Sequence, residues 1–127
     1  MEMEDVYPAI GSEGFTALVH NFYAQIPEDP ILGPMYPEQD WEGAEKRLRD
    51  FLIYRFGGPP TYIEERGHPR LRMRHMPFVI DQAARDRWVE LMANALEQTD
   101  SLPQEVRRRL HEFLADVATF LINRAPA

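Results

Sequence analysis

Cysteine is missing from all 127 residues. Its absence excludes a disulfide framework, a thiolate metal site, a cysteine nucleophile and C-x-x-C-H covalent haem attachment. No apolar run approaches the ~20 residues needed to span a bilayer. The acidic start MEMEDVYPAIG also lacks the basic and apolar regions of a secretory signal, so a cytoplasmic location is expected. The motifs H-E-x-x-H, G-x-S-x-G and G-x-x-x-x-G-K-[ST] are absent, which removes the common hydrolytic and phosphate-loop chemistries. Positive charge is scarce overall: 14 Lys and Arg face 21 Asp and Glu, for a net charge of −7. Binding a polyanion depends on releasing counterions from phosphates onto basic side chains, and an acidic surface opposes that at long range. No nucleic-acid partner is expected.

What is present suits one domain with a real core, since 44% of the residues are hydrophobic. Phe15, Leu18, Val19, Phe22 and Ile26 lie on one helical face, with Ser12 placed to cap the helix and Glu13 in its first turn. Pro27 and Pro30 stop it, and a proline-punctuated connector follows with room for one short turn. Asp40 is placed to cap a second helix carrying Trp41, Ala44, Leu48, Phe51 or Leu52, and Phe56, which Gly57-Gly58-Pro59-Pro60 ends. A third helix starts at Asp81 and carries Trp88, Leu91, Met92 and Ala95. The run Ser101 to Gln104 has the form of a capping box for a fourth, with Val106, Leu110, Phe113 or Leu114, Val117 and Leu121. Four long helices and no strand predict an all-α fold.

The 24 residues from Gly57 to Ile80 fit no closed bundle, in which loops are short. At most one short helix, Leu71 to His75, is predicted there. The same stretch gathers Arg66, Arg70, Arg72 and Arg74 around two of the four histidines, His68 and His75. His20 and His111 lie among polar neighbours and read as surface residues. His68 precedes Pro69, which pushes its backbone towards extended geometry and suits a loop hydrogen bond. His75 ends the short helix and adjoins an apolar run, facing a slot that Phe22, Leu48, Phe51, Leu52, Trp88 and Met92 could line. A single imidazole against a large apolar slot is one way to hold haem iron when no cysteine is available. Nearby arginines would then neutralise the macrocycle's carboxylates. Tyr23, Tyr36 and Trp88 add hydroxyl and indole donors around the same slot. The rival expectation is a haem-free helical module that binds an anionic metabolite or protein partner through Arg66 to Arg74.

From about Ile10 to Asn123 the chain resembles the group II truncated haemoglobins. The resemblance rests on Phe22-Tyr23, Met35-Tyr36-Pro37, the AEKRL run from Ala44 to Leu48, Gly57-Gly58-Pro59, Tyr62 and GHPRLRMRHMPF, with Trp88 thirteen residues after His75. It implies a two-over-two α-helical sandwich, a shortened globin fold, over residues 1–127, with 1–11 as an N-terminal extension and 124–127 as a short tail. His75 is implied as the proximal ligand of a b-type haem, and Tyr23, Tyr36 and Trp88 as the distal hydrogen-bonding cage. Ala44 and Leu48 would line the distal wall, and Phe56, Phe78, Ile80 and Met92 would lie against the porphyrin. Arg47 and Arg74, with Tyr62 and Arg72, are candidates for the propionates. The first junction keeps only one glycine of the family's pair, reading Gly11-Ser12.

Such a protein would bind O2, NO, CO or peroxide. Ala44 stands where many globins place a hydrogen-bonding His or Gln, which leaves that task to Tyr23, Tyr36 and Trp88. The implied function is O2-linked redox chemistry such as NO detoxification or peroxide reduction, with an oxygen carrier or sensor as the alternative. Nothing in the chain binds NAD or flavin, so a separate reductase is implied as partner. A homo-oligomer is compatible with the same sequence.

Overall fold

The computed structural model describes residues 1–36 and 40–125; Pro37 of the tyrosine–proline motif and the last two tail residues lie outside the described residues. Six α-helices and two short 3-10 turns make up the regular structure of the described residues: α1 (Val6–Tyr23), α2 (Trp41–Arg55), α3 (Thr61–Arg66), α4 (Leu71–His75), α5 (Gln82–Gln98) and α6 (Gln104–Phe120). The pair α1 and α2 packs through α1 onto α5, which is in turn paired with α6. Two helix pairs in two layers result, the arrangement that the resemblance implies. No helix is long and apolar enough to cross a membrane.

The apolar stripe read on α1 is the buried one: Phe15, Leu18, Val19, Phe22 and Ile26 are all at most 1% exposed. Helical structure begins earlier than Ser12, however. A first turn from Val6 is separated from the main helix by Gly11, whose φ of 65° and ψ of 179° suit glycine almost alone. Residues 1–11, read as an extension, bring Val6 fully into the core. The Tyr7 N–H also donates to the Phe56 carbonyl, tying this segment to the end of α2. That contact is long-range and leaves no periodic trace in so short a segment.

The predicted stops and starts divide. After α2, the Gly58 N–H donates to the Ile53 carbonyl across Gly57, whose φ is 96°. This is a glycine-closed helix end, as the Gly-Gly pair predicts. Asp81 accepts from the Ala84 N–H at 2.9 Å and caps α5. Asp40 precedes α2 but its side chain makes no capping bond; it pairs instead with Arg47 Nη1 at 3.0 Å. The capping box at Ser101 does not form. The Leu102 N–H closes a turn onto the Thr99 carbonyl, and α6 starts only at Gln104, with Pro103 before it.

The stretch between α2 and α5 holds the predicted helix Leu71–His75 as α4. It also holds the six-residue helix α3, which no periodic pattern in the sequence predicts. Fewer than two turns carry too few positions for a 3.6-residue period to show.

Candidate functional site

Tyr23 ends α1, Tyr36 follows the 3-10 turn Gly33–Met35, Trp41 opens α2, and Trp88 lies within α5. Four elements far apart in the chain therefore deliver one group of rings. Tyr23 meets Tyr36 edge-on at 5.7 Å between centroids and Trp41 at 6.4 Å. Tyr36 lies 5.7 Å from Trp41. Phe22 joins Tyr23 at 5.2 Å to Trp88 at 5.0 Å. Offset and edge contacts of this kind fix ring orientation as well as position. Trp41, read from sequence only as part of a helix stripe, belongs to this cluster; only the fold shows that its ring meets Tyr36.

The electrostatics of the two tyrosines give the cluster a direction. Burial pushes the Tyr23 hydroxyl well above the ordinary phenol range, and the neighbouring Tyr36, towards which Tyr23 donates, raises it further. Burial also raises Tyr36, while the Trp88 N–H and the Tyr23 hydroxyl, both aimed at its oxygen, act against that rise. Both phenols keep their protons throughout the physiological range. The Tyr36 oxygen thus faces the Tyr23 hydroxyl and the Trp88 N–H, and its own proton can serve a further partner.

His75 closes α4 and is half-buried. Its Nδ1 lies 2.6 Å from the Leu71 carbonyl oxygen. A carbonyl can only accept, so Nδ1 carries the proton and Nε2 presents its lone pair. The Phe78 ring lies 6.4 Å from the imidazole. The turn after His75 is held from the far end of the chain by Asn123. Its Nδ2 donates to the His75 and Phe78 carbonyls at 3.3 and 2.9 Å, and its Oδ1 accepts from the Ile80 N–H at 2.9 Å. Asn123 lies beyond α6, outside any helix pattern, and no sequence signal pointed to it.

Among the described residues no three His, Asp or Glu side chains converge as a metal site. A lone imidazole with a free Nε2 suits an ion that brings its other ligands with it, as iron does in a macrocycle. The arginine environment fits the carboxylates of such a macrocycle in part. Arg74 donates through Nη2 to the Arg66 carbonyl at 3.1 Å, and its Nε is buried without a partner. A buried guanidinium N–H left unpaired is costly, and an anion would satisfy it. Arg47 and Tyr62 line one hollow of about 370 Å³ with Gly43, Lys46, Asp50, Glu65 and Arg66. Tyr62 is 5% exposed and packs against Phe51.

Some of the expected cofactor residues are held by contacts within the fold. Arg72 turns away from the loop: its Nη1 donates to the Phe120 carbonyl and its guanidinium lies 5.3 Å from the Phe120 ring centre. Phe56 is fully enclosed, with the rings of Phe15 and Phe113 beside it. Eight residues past Leu48, it lies roughly 12 Å further along the helix axis. Met92 is also enclosed, at 1% exposure, one turn beyond Trp88. Ala44 and Ile80 are buried, while Leu48 and Phe78 are half-buried. His20, His68 and His111 are exposed, and His68 Nδ1 accepts from the Arg70 N–H, the loop role expected of it.

The bacterial-like globin family matches residues 5–121. The chain is 39% identical over 121 residues to group 2 truncated hemoglobin YjbI of Bacillus subtilis (strain 168), covering 95% of this chain and 90% of that protein. A thermostable hemoglobin from the actinobacterium Thermobifida fusca superposes with a TM-score of 0.89 at 46% identity, covering 95% of this chain and 98% of the other. The truncated oxygen-avid haemoglobin from Bacillus subtilis gives 0.87 at 37% identity, with 93% and 98% covered.

Proposed function

We propose, from the premise that this chain belongs to the bacterial-like globins as a group II truncated haemoglobin, that it holds a b-type haem on His75 Nε2 and binds O2 beneath Tyr23, Tyr36 and Trp88. When bound there, the haem supplies a ligand site on iron and one-electron redox chemistry. Arg74, whose Nε is buried and unpaired, meets one haem carboxylate, and Arg47 with Tyr62 meets the other. Ala44 and Leu48 form the distal wall, and Phe78 and Ile80 pack beside His75.

The observation that carries this function is the direction of donation in the ring cluster. Tyr23 and Trp88 converge on the Tyr36 oxygen, so the Tyr36 proton is available to a ligand that gathers negative charge. Trp88 can share its N–H with the same ligand. Each neutral hydrogen bond contributes roughly 0.5–1.5 kcal/mol net. Two or three slow ligand release by about one to three orders of magnitude, since 1.4 kcal/mol is tenfold. A ligand held that long suits NO oxidation or peroxide reduction in the cytoplasm, fed by a separate reductase, better than oxygen delivery.

The test is spectroscopic. Purified protein titrated with haem is expected to develop a Soret band at one haem per chain, and His75→Ala to shift or abolish it. A protein indifferent to haem would overturn the proposal in favour of a haem-free anion-binding module. Mixing the oxygenated form with NO or peroxide in a stopped-flow instrument then separates an enzyme from a carrier.

A further inference from the structure

Arg70 has no task in the site, and Arg66 reaches it only by lining the hollow beside Arg47 and Tyr62. Between Arg66 and Ile80 there is no acidic residue, in a chain that carries 21 of them. Arg66, Arg70 and Arg72 are exposed. Among the described residues no carboxylate pairs with any of them, whereas Arg47, Arg49, Arg85, Arg87 and Arg109 each have such a partner.

Arg70 adds an independent observation. Its φ of 45° and ψ of 50° make it the one non-glycine residue with left-handed backbone among the described residues. L side chains other than Asn and Asp rarely adopt that conformation. Its peptide groups are used within the fold, the N–H by His68 Nδ1 and the carbonyl by the Arg74 N–H. Its guanidinium has no bond within the described chain. A glycine would serve the backbone there without strain, so the arginine is explained by something outside the chain.

We propose that Arg66 and Arg70 form the docking face for an acidic electron-transfer protein. This deepens the haem reading and rests on it. Met73, Met76 and Val79, each more than half exposed, follow the charges along the chain. Positive charge beside a small apolar surface steers encounter and lets the complex part quickly, as redox partners must. His75 lies in the same loop, so a donor seated here is close to the iron ligand. The donor, a flavoprotein in its reduced state, loses one electron to the iron held at His75, and no bond is made or broken. Polyanions fit less well, because the net charge of −7 repels them at long range.

Binding of purified flavodoxin, a small acidic flavoprotein, to the haem-loaded protein tests the proposal by calorimetry. Affinity is expected to weaken at least tenfold between about 0.01 M and about 1 M salt. At low salt, Arg66→Glu and Arg70→Gly should each weaken it several-fold, and Arg108→Glu on α6 should not. Arg70→Gly should keep or raise the melting temperature, which separates lost docking from lost folding. Binding indifferent to salt and to these variants overturns the docking face. So does tighter, arginine-dependent binding of phosphatidylglycerol vesicles or a single-stranded oligonucleotide. Failure of the haem reading is told apart by a missing Soret band before any flavodoxin is added.

Discussion

Asp29 is ion-paired with Arg87, the residue immediately before Trp88. The Asp29 side chain is 1% exposed and also accepts from the N–H groups of Leu32 and Ile31, at 2.9 and 3.1 Å. One buried carboxylate therefore folds the bend that leads to Tyr36 and anchors it to the helix that carries Trp88. The geometry between the two donors of the distal cluster depends on this link.

Replacing Asp29 with Asn removes the charge and leaves Arg87 without its buried partner. Hydrogen bonds to charged groups contribute about 1.5–3 kcal/mol, so a loss of that order is expected in chemical denaturation. Ligand release from the haem-loaded protein should quicken as Tyr36 moves relative to Trp88. Unchanged stability together with unchanged release would remove the clamp role.

The same carboxylate sets an acid limit. Burial works against its ionisation, but the Leu32 and Ile31 N–H groups and Arg87 outweigh that and hold its pKa below the usual carboxylate range. A depressed folded pKa stabilises fully above the unfolded value, near 3.9, and is lost as pH falls through the lower folded value. The stability gap between the wild type and Asp29→Asn should hold steady from neutral pH to roughly 4 and narrow below that. Urea midpoints across the acid range check this; a gap that widens on acidification contradicts it.

Tyr36→Phe removes the proton that the cluster leaves available, whereas Tyr23→Phe removes only a donor to Tyr36. The first is expected to speed O2 dissociation by about tenfold or more, the second by less. Flash photolysis and stopped-flow displacement by CO give both rates. The reverse order would show that Tyr23, not Tyr36, is the residue facing the ligand.

Asn123→Ala deletes three hydrogen bonds to the turn after His75. At about 0.5–1.5 kcal/mol each, their loss should loosen the proximal segment and speed haem transfer to an excess of apomyoglobin by one or more orders of magnitude. Asn123→Asp, which keeps the Oδ1 acceptor for Ile80, should fall between. Wild-type transfer rates in both would confine Asn123 to a surface role.

Much of the frame was legible in the residues. The stripe on α1, the glycine stop after α2, the Asp81 cap and the short helix ending in His75 are local features, set by side chains within a few positions of one another. What failed was also informative. Asp40 looked like a cap but turned to Arg47, and Ser101 looked like one until the buried Leu102 drew its turn elsewhere. Phe56 lies in the core, beside Phe15 and Phe113. Arg72 meets the carbonyl and ring of Phe120, 48 residues away.

By itself, the sequence determined the helix class, the broken stretch between α2 and α5, and the identity of the one histidine that ends a helix beside an apolar run. Periodicity, proline and glycine act over one or two turns, so they survive in a linear reading. Only the packed chain brings Tyr36 against Tyr23 and lets Asp29 reach Arg87 across 58 residues. It alone decided that Asn123 holds the His75 turn across 48. Those pairings arise only when packing closes the chain on itself. They depend on which polar groups burial leaves in need of a partner.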